Sequence, residues 1–217
     1  MNLEQARYNM VEQQIRPWEV LDQEVLDLLM TVKREQFVPP ACAALAFADT
    51  AIPLGHGAAM LTPAVEAKFL QALQLRKSDK VLEIGTGSGF MAALLGARSD
   101  HVHTVEIEPE LAARARENLQ RACADNVTVI DGDGAQGWPA QAPYDVILLS
   151  GSVPDIPPAL SAQLKVGGRL LAVVGEAPLM QARLVTCVAE GRFQAVNLFE
   201  TDIPRLRNVP EREKFVF

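Results

Sequence analysis

The spacing of apolar residues changes period along the chain. From Leu3 to Ile15 they recur at Leu3, Ala6, Met10, Val11 and Ile15, close to one face of a helix. Pro17 is expected to end that helix. A second helix is predicted from about Asp22 to Lys33, with Asp22 as N-cap and Val25, Leu26, Leu28 and Leu29 inward. Phe37-Val38-Pro39-Pro40 reads as a break, and Ala41 to Ala46 as one or two helical turns. Ala51 to Pro63 holds two prolines and two glycines and is expected to be a loop. Thr62 then caps a helix that runs to about Leu73, with Pro63 in its first position. Three helices and a long loop thus precede the first clear strand, enough chain to form a flap.

From Lys80 the pattern alternates between short apolar runs and helical stretches. Strands are predicted at Val81–Ile84, Val102–Glu106, Val127–Asp131, Tyr144–Leu149 and Arg169–Val174. Helices fall near Phe90–Arg98, Pro109–Arg121 and Ile156–Leu164. Continuous runs such as Val146-Ile147-Leu148-Leu149 suit a parallel sheet buried on both faces. The fold class expected is therefore α/β, a doubly wound, mostly parallel sheet. After Gly175, Gln181–Ala189 and Phe193–Glu200 read as an antiparallel hairpin turning at Glu190-Gly191-Arg192. One domain is expected over 1–217: a helical cap and loop to about residue 75, an α/β core to about 175, and C-terminal strands.

Composition narrows the function. The chain has 217 residues, 49% of them apolar, enough for a sizeable core. A net charge of −7 argues against a nucleic-acid surface. No apolar run approaches the roughly 18 residues of a membrane span. Cys42, Cys123 and Cys187 are far apart and form no C-x-x-C pair, so reduced thiols in a cytoplasm are expected, all three as core filler. No metal site is expected. His101 and His103 share a side of their strand, but no third ligand lies near them.

The chemistry gathers at Val81-Leu82-Glu83-Ile84-Gly85-Thr86-Gly87-Ser88-Gly89. This reads as strand, tight turn, helix. A glycine turn can serve packing alone. The spacing is one residue short of the dinucleotide pattern, and no basic residue at the turn meets a phosphate. Glu106, at the end of the second core strand, can accept both hydroxyls of a ribose. Asp133, in Asp131-Gly132-Asp133-Gly134, can accept from an adenine amino group, and Gly134 allows close approach. All three features fall at the carboxyl ends of neighbouring strands, where open α/β sheets bind ligands. Ribose, adenine and no phosphate partner fit S-adenosyl-L-methionine. Acidic surroundings suit its sulfonium and would repel a pyrophosphate.

At this point the chain resembles the protein-L-isoaspartate O-methyltransferases. The likeness runs through Met10-Val11-Glu12-Gln13-Gln14-Ile15-Arg16, Phe37-Val38-Pro39, the glycine turn, Val105-Glu106-Ile107, Gly132-Asp133-Gly134, Gly137-Trp138-Pro139 and Leu164-Lys165-Val166-Gly167-Gly168. The resemblance implies a seven-stranded α/β methyltransferase, with S-adenosyl-L-methionine as cofactor and S-adenosyl-L-homocysteine as product. Its substrate would be the free carboxylate of isoaspartyl residues in damaged proteins. By position it assigns the cofactor to Glu83, Gly85, Thr86, Gly87, Gly89, Glu106, Ile107, Asp133 and Gly134. In the substrate loop, His56, Met60, Leu61 and Thr62, the chain departs from the family. Leu61 stands at the position of the family's active-site serine, and Ser150-Gly151-Ser152 replaces a run of small residues after the fourth strand. The ending from Asn208 to Phe217 also matches poorly. Thr62 can supply a hydroxyl from the next position, although capping accounts for it. His56 can touch a carboxylate or simply face solvent. Arg205 and Arg207 can pair with a carboxylate, but a solvated loop also explains them. Trp18 and Trp138 are expected to pack. Two rival functions remain: a paralogue of the same fold with another substrate, and a protein that holds the cofactor without turnover.

Overall fold

The computed structural model describes residues 2–210. Residues 211–217, and with them most of the divergent ending, lie outside the described residues. Helix α1 (Leu3–Met10) is capped by the Asn2 side chain. It widens into one π-turn, Val11–Ile15, and tightens into a 3-10 turn, Arg16–Trp18. The helical path thus passes Pro17, which sits at the start of that last turn, where a missing N–H costs nothing. Glu19, at φ +66°, ends it. Helix α2 (Gln23–Thr31) is capped by Asp22, as its sequence predicts, with Val25, Leu26, Leu28 and Leu29 buried.

The stretch expected to be a loop holds a hairpin. Strands β1 (Ile52–Gly55) and β2 (Ala58–Met60) pair antiparallel. Ile52, Leu54 and Met60 are buried, and this alternation pulls the segment into extended backbone despite Pro53. His56 and Gly57 form the two-residue turn, both at positive φ, +53° and +76°. Helix α3 (Pro63–Leu73) follows, with the Thr62 hydroxyl accepting from the Val65 N–H at 3.4 Å.

The remainder is β3 (Lys80–Ile84), α4 (Phe90–Arg98), β4 (His101–Glu106), α5 (Pro109–Arg121), β5 (Val127–Asp131), β6 (Tyr144–Val153), α6 (Pro158–Ser161), β7 (Leu164–Glu176), β8 (Leu179–Ala189) and β9 (Arg192–Glu200). These strands form a seven-stranded sheet in the order β5-β4-β3-β6-β7-β8-β9. β3 to β7 are parallel to one another, and β8 runs antiparallel to β7 and β9. The expected doubly wound α/β class is the one adopted. Helix α6 is shorter than predicted. Pro158 holds Pro157 in extended backbone, and by Gln163 the chain already accepts a sheet hydrogen bond from the Tyr144 N–H.

Core residues alternate between the two faces. Val146, Leu148, Leu171 and Val173 pack against the N-terminal helices and α4. Ile147, Leu149, Leu170 and Ala172 join the cluster on the opposite face. Both sets are fully buried, which is why the runs are continuously apolar. Two expectations about filler do not hold. Trp18 is 56% exposed and carries the Lys68 ammonium over its ring, and Cys123 is exposed in the turn that closes α5. Cys187 is buried and Cys42 partly so.

One buried ion pair ties the helical cap to the core. Arg34 and Glu66 are 1% and 2% exposed and bonded to each other. Arg34 also donates to the Leu61 carbonyl at 2.7 Å and lies over the Phe90 ring. Burial raises the Glu66 carboxyl well above its ordinary range, and the guanidinium draws it part of the way back. Removing one partner strands the other charge. Arg34→Met is therefore expected to cost about 3–5 kcal/mol in urea unfolding, and Arg34→Met/Glu66→Met to recover most of that loss. A single variant as stable as the wild type would show that the pair carries no such penalty.

Candidate active site

β3 ends in the glycine turn, and Gly85, Gly87 and Gly89 have φ of +94°, +54° and +84°. Other residues rarely adopt this backbone. Space is short as well: a Cβ on Gly87 would lie 3.1 Å from Leu54 of the hairpin, and one on Gly85 3.2 Å from Leu206. The turn is kept open from outside. Glu106, at the end of β4, accepts from the Gly87 N–H at 2.8 Å with one oxygen and from the Glu108 N–H at 3.0 Å with the other. A carboxylate offers about four lone-pair sites, so it keeps acceptor capacity toward a ligand.

Glu83 lies behind the turn with no exposed surface. Its oxygens accept from the Thr104 and Ser150 hydroxyls, each at 2.7 Å, and Thr86 pairs with Thr104 at 2.7 Å. These bonds favour the charged form, but burial outweighs them and pushes the carboxyl up to about 7, with Glu106 adding repulsion. At the end of β5, Asp133 accepts from the Ala135 N–H and from the Asn208 side chain, both at 2.9 Å. A Cβ on Gly134 would meet Ile84 at 2.7 Å, so only glycine fits that close approach.

Together these loops enclose a cavity of about 290 Å³. It sits beside the boundary between β3 and β6, where the strand order reverses. Its roof comes from two distant segments. One is the hairpin tip around His56. The other is a strap, Pro204–Arg207, bonded to the end of β6 through the Ser152 N–H to Pro204 at 2.8 Å and the Leu206 N–H to Ser152 at 3.0 Å. Arg207 joins the two, donating to the His56 carbonyl at 2.6 Å and pairing with Glu108 at 3.2 Å. His56 in turn contacts Glu110 at 2.9 Å and Glu108 at 3.4 Å.

Of the residues singled out from sequence, His56, Gly85, Gly87, Glu106, Ile107, Asp133, Gly134, Arg205 and Arg207 line the cavity. Glu83, Thr86 and Gly89 stand behind its wall. Met60, Leu61 and Thr62 do not line it either; Ala58 and Ala59 do. The Thr62 hydroxyl caps α3, and the Leu61 carbonyl is held by Arg34. Three contributors were not assigned from sequence. Ser150 reaches Glu83, Leu206 covers Gly85, and Asn208 reaches Asp133. Only Asn208 carried a local signal: asparagine tolerates its positive φ of +57°. The rings of His101 and His103 are 4.5 Å apart, with His101 bonded to Thr128. Among the described residues no group of three or more His, Cys, Asp or Glu could hold a metal.

The lining suits a nucleoside without phosphates. Ile84, Val105 and Leu111 offer an apolar wall, Glu106 and Asp133 offer acceptors, and the glycine turn brings no cation. Such a site on a doubly wound seven-stranded sheet defines the Rossmann-like methyltransferase class. The family described as Protein-L-isoaspartate(D-aspartate) O-methyltransferase matches residues 5–201, and the chain belongs to that family. It is 43% identical over 192 residues to a Koribacter versatilis protein named protein-L-isoaspartate O-methyltransferase, covering 88% of this chain and 86% of that one. A Myxococcus xanthus protein of the same name is 46% identical over 156 residues, covering 72% and 74%. Among solved structures, one protein-L-isoaspartate O-methyltransferase superposes with a TM-score of 0.76 at 24% identity, over 94% of this chain and 65% of that longer one. A Plasmodium falciparum beta-aspartate methyltransferase in complex with S-adenosyl-L-homocysteine gives 0.79 at 20% identity, over 95% and 99%.

Glu83 generates a prediction about pH. Its carboxyl titrates near 7 when folded and at its ordinary 4.5 when unfolded. Between those values the native state holds the extra proton, so this contribution is full below 4.5 and is lost as pH rises through 7. The loss is about 3 kcal/mol. Glu83→Gln keeps the shape and removes the titration. Its unfolding free energy should therefore fall less steeply than the wild type's between pH 5 and 7, and identical slopes would show that Glu83 does not titrate there.

Proposed function

We propose that the chain is an S-adenosyl-L-methionine-dependent carboxyl O-methyltransferase acting on isoaspartyl residues of damaged proteins. The observation that carries this reading is the family match over nearly the whole chain, together with a cavity at the reversal of strand order that Glu106 and Asp133 line. We assign the cofactor to Gly85, Gly87, Glu106, Ile107, Asp133 and Gly134 at the wall, with Glu83, Thr86 and Gly89 holding the turn from behind. A cytoplasmic setting is part of the proposal. It is supported by three cysteines that form no disulfide. No helix of the described residues is long and apolar enough to cross a membrane.

S-adenosyl-L-methionine supplies a methyl group on a sulfonium, which passes to a carboxylate oxygen as the S–C bond breaks, leaving S-adenosyl-L-homocysteine and a methyl ester. The protein's share is alignment and exclusion of water. The acceptor carboxylate, with a pKa of about 3.5, is already ionised and needs no general base. Glu106 is placed to orient ribose hydroxyls. The hairpin tip and the strap cover part of the site. Leu61 supports a second reading, a paralogue with another acceptor, because no hydroxyl is available at that position.

Calorimetry should find a single site for S-adenosyl-L-methionine, weakened about tenfold to a hundredfold by Glu106→Ala, which removes charge-assisted acceptors. Incubation with labelled cofactor and an isoaspartyl peptide should yield a base-labile methyl ester, with none on the aspartyl counterpart. Binding without any ester points to the paralogue or to a protein that only holds the cofactor. No binding at all removes the methyltransferase reading.

A further inference from the structure

The two edges of the seven-stranded sheet are treated differently. At one edge β5 has five residues, and Arg116 of α5 reaches across to the Val129 carbonyl at 3.0 Å and to the Asp131 carboxylate. A charge laid over the outward backbone is a common defence of an edge strand. At the other edge β9 has nine residues, and every one from Arg192 to Leu198 is exposed. From Phe193 to Phe199 it carries neither a charge nor a proline, in a chain with a net charge of −7. Phe193, Val196 and Leu198 are left exposed, as is Val188 on neighbouring β8. The ladder with β8 satisfies one side of the β9 backbone, and among the described residues nothing bonds to the other. Such a row of free N–H and C=O groups, flanked by apolar side chains, is a template for another strand.

The chain's own last residues do not fit that place. Asn208 is bonded to Asp133, just past β5, and the strand order puts six spacings, about 29 Å, between β5 and β9. Residues 209–217 extend at most about 30 Å. That leaves no length to lie along β9. A second copy does fit. Arg192 and Glu200 are the only charges of β9, they stand at its two ends, and neither has a partner among the described residues. Antiparallel pairing about a twofold axis brings the Arg192 end of each copy to the Glu200 end of the other. Leu198 has no counterpart in β8, and this bulge bends the end of the strand. The backbone ladder between copies therefore belongs to Arg192–Asn197, and side chains join the charged ends. We propose that β9 is a homodimer interface, at which two copies meet edge to edge and antiparallel, with Arg192 of each paired to Glu200 of the other. The cavity beside β3 and β6 lies three strands in from β9, so each copy keeps its own.

Sedimentation equilibrium of the full chain tests this. Wild type should form a reversible dimer in the micromolar range, as befits a small interface. Val196→Lys, which sets a charge in the middle of the edge, should leave a monomer whose S-adenosyl-L-methionine affinity in calorimetry is unchanged. Arg192→Glu and Glu200→Arg should each weaken the dimer about tenfold, and the two together should restore it to within about threefold. A wild type that stays monomeric up to about 0.2 mM overturns the proposal, without reliance on any variant folding. A dimer that Val196→Lys leaves intact places the interface elsewhere and overturns it too. So does a double exchange that fails to recover, because the copies are then not antiparallel. If β9 amides of a monomeric wild type gain protection from hydrogen exchange only when an isoaspartyl peptide is added, the edge belongs to substrate and the dimer is wrong.

Discussion

The hydrogen bond from the Gly87 N–H to the Glu106 carboxylate joins the two loops on which the cavity is built. It crosses from the end of β3 to the end of β4, neighbours in a parallel ladder in register from Lys80 and His101 to Ile84 and Val105. The ladder brings the two strand ends together, and the bond fixes how far the glycine turn opens beyond them. The same carboxylate also accepts from the Glu108 N–H, at the entry to α5, and so sets where that helix starts. Moving Glu106 would change the floor, the turn and the helix that anchors His56 together. This dependence explains why a charged group is kept 6% exposed: two backbone donors offset part of its desolvation.

Behind that bond lies a second layer of acids and hydroxyls. Glu83, Thr104, Thr86 and Ser150 link the ends of β3, β4 and β6 below the turn. Glu83, Thr86 and Thr104 thus shape the site from behind its wall, and Ser150, which lines the cavity, turns its hydroxyl onto Glu83. The buried Arg34–Glu66 pair works similarly one layer further out. It holds the backbone of Leu61, at the junction of the hairpin and α3, against the core.

The core was legible because burial on both faces writes an unbroken apolar run into each strand, as at Val146–Leu149, and because Asp22 and Thr62 cap helices by local hydrogen bonds. The floor of the site was legible for a related reason: glycines and acids at strand ends are local features. The roof was not. Ile52 and Leu54 alternate as a strand should, but Pro53 and two glycines disguised the pattern. The strap is short, and it is held by partners far away in the chain, among them Ser152 and His56. Asn208 and Asp133 are likewise distant in sequence, and neither residue type reveals the other. Trp18 and Cys123 show the converse: an apolar residue type is not by itself sufficient reason for burial.

Floor and roof are also held by different forces. Backbone bonds and buried hydroxyls secure the floor, out of reach of dissolved ions. The roof closes through Arg207, Glu108, His56 and Glu110, whose side chains are 18–72% exposed. Exposed pairs of this kind are weak and are screened within about 8–10 Å at physiological salt. Ionic strength should therefore act on traffic through the site, loosening the doorway for exchange of spent cofactor, while the contacts that define the bound state stay as they are. A cell's salt level would then set the pace of turnover without altering what the pocket prefers to hold.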